Sequence, residues 1–371
     1  MREITRKGLL LGGAVLVGAA RAARARAAQA SAATAELKTV FASDLVINGP
    51  TTSPSGRLFT CAQPQGTSHG PQVVELTDGA ARPFPDAAWN GWRDGQDGAH
   101  AFVGVNSLRV GPDGGLWAVD RGGPGIGAPL APHGPKLVRI DLRTNAVSRV
   151  YDLAEATNAG SFVDDVRFNG RHAYLTDAGR PGLIVLDLET GAVRRALDGA
   201  PSVTARRPLV AEGKPLRNPK GEPVVIHADQ LEVSPDGRWL YFQPCCGPMS
   251  KIETRWLDSD ALSPAELGTR VVPFADTPST GSTAIDATGN IYLSDTDRSR
   301  ILKIDPDGLI STLIADSRLA WVDAMWIDEA GNLLMPAAQL SRTPGLNGGV
   351  DAVEPPIRLY ALAIGAQPVR R

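Results

Sequence analysis

Cysteine is scarce in this chain: Cys61 and the adjacent pair Cys245 and Cys246 are its whole complement. Three thiols cannot build the disulfide framework that staples small secreted domains, so a large apolar core must hold the fold. One bridge stays open in an oxidising compartment, but adjacent cysteines are strained partners, and an odd count leaves at least one thiol unpaired. A membrane-spanning segment is also missing. The apolar stretch from Gly8 to Ala20 falls short of the roughly 20 residues that a spanning helix needs, so no stable membrane anchor is expected. Helical periodicity is almost absent, and no segment suggests a separate second domain.

An excess of basic charge is lacking as well. The chain carries 38 Lys and Arg against 40 Asp and Glu. Six of those bases and one of the acids lie in residues 1–30, so the remainder has 32 against 39, a net charge near −7. Nucleic acid needs a basic footprint and is not an expected partner.

What is present begins at the N-terminus. Arg2, Arg6 and Lys7 precede the apolar stretch, and small-residue sites follow at Ala25-Arg26-Ala27 and Ala28-Gln29-Ala30. Residues 1–30 read as a signal peptide, which makes the mature protein periplasmic or secreted. Arg6-Lys7 approximates a twin-arginine pair, and Arg21, Arg24 and Arg26 suit that route, but the general secretory route stays open.

From residue 36 to 371 one pattern recurs six times: a polar residue, alternating apolar positions, a turn glycine, then a second apolar strand. The copies run Asn48 to Gly56, Asn106 to Gly114, Asp164 to Gly170, Asp229 to Gly237, Gly281 to Gly289 and Asp323 to Gly331. The glycine supplies the positive φ of a tight reversal. Third strands follow at Lys136 to Asp141, Leu183 to Asp187 and Ile301 to Asp305, with a fourth after another turn, as at Leu309 to Ile314. Such repeats predict an all-β, six-bladed β-propeller with four antiparallel strands per blade. The last repeat lacks its fourth strand, and the segment Glu36 to Phe41 is expected to supply it and close the ring. The Gly- and Pro-rich insertions Gly122 to Ala131 and Ala205 to Pro223 read as loops over a face.

Strand alternation brings the starts of the six innermost strands to one end of the central channel. Asn48, Asn106, Asp164, Asp229 and Asp323 should therefore surround one mouth, with Gly281 the sixth position. Three carboxylates so placed repel one another unless protons or a cation compensate them, and hard oxygen donors favour calcium or another divalent ion. Asn106, Asn48, Asp164 and Asp229 are the expected metal ligands. The alternative is that strand-start Asn and Asp bind water in a wide channel.

His69, His100, His133 and His227 fall in loops of the same face, while His172 lies at the opposite turn. His227 shares strand parity with Asp229 and is expected to point into the channel as a base. His69, His100 and His133 are candidate substrate-binding residues. His69-Gly70-Pro71 and His133-Gly134-Pro135 occupy equivalent places in their repeats, which suits loop shaping equally well. Cys245-Cys246 overhangs the same face without a readable partner base, so packed cysteines are the simpler reading. Trp89, Trp92 and Trp321 are placed to line a pocket there, whereas Trp117 and Trp239 belong to strands.

The repeats resemble the gluconolactonase and senescence-marker-protein superfamily. Leu116-Trp117-Ala118-Val119-Asp120, Pro135 to Asp141, Ala173-Tyr174-Leu175-Thr176-Asp177 and Ser234-Pro235-Asp236-Gly237 are closest to its royal jelly and Yellow branch. The resemblance implies a divalent ion at the inner-strand starts, held by a Glu before Gly-Pro, middle-blade Asn residues and an Asp that also acts as base. Here those positions are Asn48-Gly49-Pro50, Asp164, Asp229 and Gly281, so the catalytic base is missing from its place. Asp323 or His227 is the expected substitute. Three functions follow: a metal-dependent hydrolase of a lactone or related ester, a binding protein for a small ligand, or a Yellow-like isomerase.

Overall fold

The computed structural model describes residues 36–62 and 71–369, so the signal-peptide reading of residues 1–30 and the position of His69 lie outside the described residues. Six four-stranded antiparallel sheets form the six blades. Their innermost strands are Ile47–Thr52, Val105–Val110, Val163–Asn169, Ala228–Val233, Thr283–Ile285 and Trp326–Ile327. The sixth blade is composite: Trp326–Ile327, Asn332–Ala337 and Ile357–Ala363 come from the C-terminal end, and Lys38–Ser43 pairs with Ile357–Ala363 as the outermost strand. The ring is thus closed by both ends of the chain, as the repeat count requires.

Each repeat forms its hairpin where the sequence places a glycine. Gly56, Gly114, Gly170, Gly237, Gly289 and Gly331 all have positive φ, between 57° and 85°, a region that residues with a Cβ enter at a cost. Strand alternation then sends apolar side chains into the gaps between blades. Tyr174, Leu183 and Val185 of the third blade pack with Leu231, Leu240 and Phe242 of the fourth. Full burial of each such side chain stabilises by about 1.5–3 kcal/mol.

One departure from regular pairing recurs in the innermost hairpins. Register slips by one residue between Asn48 and Thr51, between Val105 and Ser107, between Val163 and Val166, and between Ala228 and Gln230. In the sixth blade the Val322–Ala337 bridge and the Trp326–Leu334 pair differ by the same single residue. A β-bulge therefore sits at the start of these inner strands, and bulges re-aim side chains beside functional sites.

Below the bulges the channel is crossed by an ionic belt. Arg109 pairs with Asp165 and donates to the Met325 carbonyl at 2.9 Å. Arg167 bonds Asp165 at 2.7 Å and Glu232 at 2.7 and 2.8 Å, and Thr283 donates to Glu232 at 3.0 Å. Beyond the belt, on the hairpin-turn face, lies a funnel of about 690 Å³ with Pro54, Phe168, Trp326 and Ile327 in its walls and Arg109, Arg167 and Glu232 among its lining.

Candidate functional site

The starts of the inner strands deliver between one and three consecutive residues each to the axis. Asn48, Asn106-Ser107, Asp164-Asp165, Asp229-Gln230, Gly281-Ser282-Thr283 and Asp323-Ala324 line one cavity of about 20 Å³, room for a single water or ion. All six ring positions read from the repeats are thus brought together. The channel is far narrower there than a wide water-filled pore.

The three ring carboxyls share one small volume, and their ionisation reflects it. Burial pushes Asp323 up to about 8, helped by the nearby Asp229. Burial and the Asp229 charge hold Asp164 well above the usual carboxylate range, and burial raises Asp229 too. Asp164 and Asp229 stand close enough for each to perturb the other's ionisation. Asp323 accepts from the Ala324 N–H at 2.9 Å and faces the Trp321 indole N–H at 3.4 Å.

The two asparagines face the ring with their carbonyl oxygens engaged. Asn48 Oδ1 accepts from the Gly49 N–H at 2.7 Å. Asn106 Oδ1 accepts from Arg121 Nη1 at 3.2 Å, and its Nδ2 donates to Asp164 Oδ1 at 2.6 Å. Sequence reasoning missed Arg121. It ends the second strand of blade two, is buried, donates to the Gly123 and Pro124 carbonyls and lies 5.0 Å over the Phe162 ring.

Two residues lining the same cavity each carry a buried oxygen with no partner among the described residues: Ser107 Oγ and Gln230 Oε1. Both residues are buried, at 1% and 4% exposure. Among the described residues no three His, Cys, Asp or Glu side chains by themselves form a metal-holding group. The available donors are hard oxygens of mixed charge, the set that calcium or magnesium prefers, and the two unpartnered atoms fit such an ion.

The histidines lie elsewhere. His227 is not among the cavity-lining residues; its Nδ1 accepts from the Ala205 N–H at 3.1 Å, and burial lowers its pKa. The bulge at Asp229 breaks the parity from which an inward orientation was expected. His133 is exposed and pairs with Asp97 at 2.8 Å, and His100 is exposed in the neighbouring loop. All three thiols are free and buried. Cys61 Sγ reaches the carbonyls of Asn48 and Asn106, and Cys245 Sγ that of Thr280, so they pack behind the ring. Trp321 is buried beside Asp323, while Trp89 packs on Phe102 and Trp92 bonds Gln96.

The model of the family described as major royal jelly protein matches residues 103–354, more than half of the 371 residues. The chain belongs to the major royal jelly protein family. Against solved structures, this royal jelly family member is similar to a gluconolactonase from Xanthomonas campestris at 15% identity and TM-score 0.54, covering 89% of this chain and 90% of that one. A putative gluconolactonase is similar at 12% identity and TM-score 0.53, covering 91% and 95%. The calcium-binding protein regucalcin from Agrobacterium tumefaciens is similar at 13% identity and TM-score 0.50, covering 88% and 94%. At such identities these likenesses show the six-bladed fold. A comparison with curated proteins finds no match.

Proposed function

We propose that this royal jelly family propeller is exported and holds a divalent cation, best matched by calcium, at its ring, where it hydrolyses a lactone or related small ester. The observation that carries the reading is the convergence of Asp164, Asp229 and Asp323, from three blades, on one ion-sized cavity, two of whose other lining residues, Ser107 and Gln230, each carry an unpartnered buried oxygen. A bound cation would polarise the substrate carbonyl and acidify a water. Asp323 is the proposed base. It lines the cavity and its Oδ2 faces the Trp321 indole N–H; a cation at the ring would offset the burial that raises its pKa and leave a carboxylate to take the proton of the attacking water. His227 is the poorer candidate because its Nδ1 lone pair is spent on the Ala205 N–H. Asn106, fixed by Arg121, orients the Asp164 carboxyl. The export reading rests on residues 1–30, and the proposed partner is a small molecule, not nucleic acid.

Metal analysis of the purified full-length protein, followed by a panel of lactones, tests this. Stoichiometric calcium, with hydrolysis lost on chelation and in Asp229→Ala, is the expected result; protein that takes up no divalent ion would sink it. A second reading, ligand binding without turnover, is favoured by Gly281, which puts no side chain where the resemblance implies a base. Metal uptake without hydrolysis of any lactone supports that reading.

A further inference from the structure

We infer that Ser107 Oγ and Gln230 Oε1 are direct ligands of the ring cation, completing with Asp164, Asp229 and Asp323 a donor set in which Asn106 takes no part. This rests on the cation reading above and specifies its chemistry.

A buried hydroxyl or amide oxygen left without a partner costs about 1–3 kcal/mol. Only three such side-chain atoms occur among the described residues, and two of them, Ser107 Oγ and Gln230 Oε1, belong to residues that line this one cavity. The Gln230 amide has a fixed sense. Its Nε2 donates to the Thr280 carbonyl at 2.7 Å and to Asp229 Oδ2 at 2.5 Å, both of them acceptors, which leaves Oε1 as the open end. The same bulges that aim Asn106 and Asp229 at the axis bring in Ser107 and Gln230, the residues next in sequence.

Asn106 is turned the other way. Its Oδ1 is bound to a guanidinium, and it presents N–H to Asp164, the wrong polarity for a cation. Carboxyl groups by themselves form no metal-holding trio among the described residues, and a hard divalent ion seeks about six to eight oxygens. A neutral hydroxyl and a neutral amide oxygen raise the donor number without adding to the repulsion among three acids.

Titration of the full-length, chelator-treated protein with calcium by calorimetry, and with terbium by luminescence, decides the matter. Trp321 beside Asp323 is placed to sensitise terbium. Wild type is expected to bind both ions, calcium displacing terbium. Ser107→Ala and Gln230→Met are each expected to weaken calcium binding by about tenfold or more, with melting by circular dichroism confirming the fold. Gln230→Glu, which keeps an oxygen, should bind at least as well as wild type, and it replaces Gln230→Met in the comparison if that variant fails to fold. If Ser107→Ala and the Gln230 variant lacking the oxygen bind as tightly as wild type while Asp229→Asn does not bind, the two ligands are refuted and the ring site stands. Should Gln230→Met not fold, unchanged affinity in Ser107→Ala together with weakened binding in Gln230→Glu refutes them equally. If wild type binds neither ion, the cation reading itself is refuted.

Discussion

Gly281 is more than a missing acid. A Cβ built there would stand 2.5 Å from the Val322 carbonyl oxygen and 3.2 Å from the Trp321 indole nitrogen, so the space of a side chain is already taken by the sixth blade. Gly281→Asp is therefore expected to destabilise by about 1–3 kcal/mol, read as a lower urea midpoint, rather than to restore a base. A glycine in a repeat is visible in the sequence; that a tryptophan from the next blade fills its place is not, because the contact exists only after ring closure. A second residue-level expectation concerns His133, whose pKa the Asp97 hydrogen bond raises. Below the ordinary histidine range the pair is fully charged, and it is lost as pH rises through the elevated folded value. In Asp97→Asn, the His133 ring signals followed by NMR should titrate at lower pH than in wild type.

At the scale of the strand, alternation made the six ring positions legible, since each precedes its turn glycine by eight residues, or six in the third blade. The same rule misplaced His227, and it hid Ser107 and Gln230, because period-two reasoning sends neighbours to opposite faces. The only available signal was a polar pair at strand starts, Asn106-Ser107, Asp164-Asp165 and Asp229-Gln230, which a bulge would explain. The ionic belt was equally invisible: Arg109, Asp165, Arg167 and Glu232 come from three blades and meet only at the axis. Burial by itself would raise the Asp165 carboxyl, but the Arg109 and Arg167 guanidiniums outweigh it and hold that carboxyl low. Glu232→Ala leaves two buried guanidiniums, Arg109 and Arg167, sharing the one Asp165 carboxylate, an excess of one buried positive charge. A loss of about 3–5 kcal/mol is expected, measurable by denaturant unfolding.

For the whole molecule, closure depends on Lys38–Ser43 lying against Ile357–Ala363, a pairing that the unfinished last repeat predicts. A chain begun at Asp44 exposes the apolar edge of the sixth blade and should melt at a markedly lower temperature than one begun at Glu36, in paired calorimetric scans. The overall architecture could be read from repetition because each blade is a local hairpin design, whereas the axis is made of contacts between distant segments. That axis is also where the belt of paired charges stands between the ring cavity and the funnel. Arg109, Arg167 and Glu232 of that belt face the funnel while Asp165 faces the ring cavity, so an anion or cation lodged at the broad end would meet charges wired directly to the narrow one.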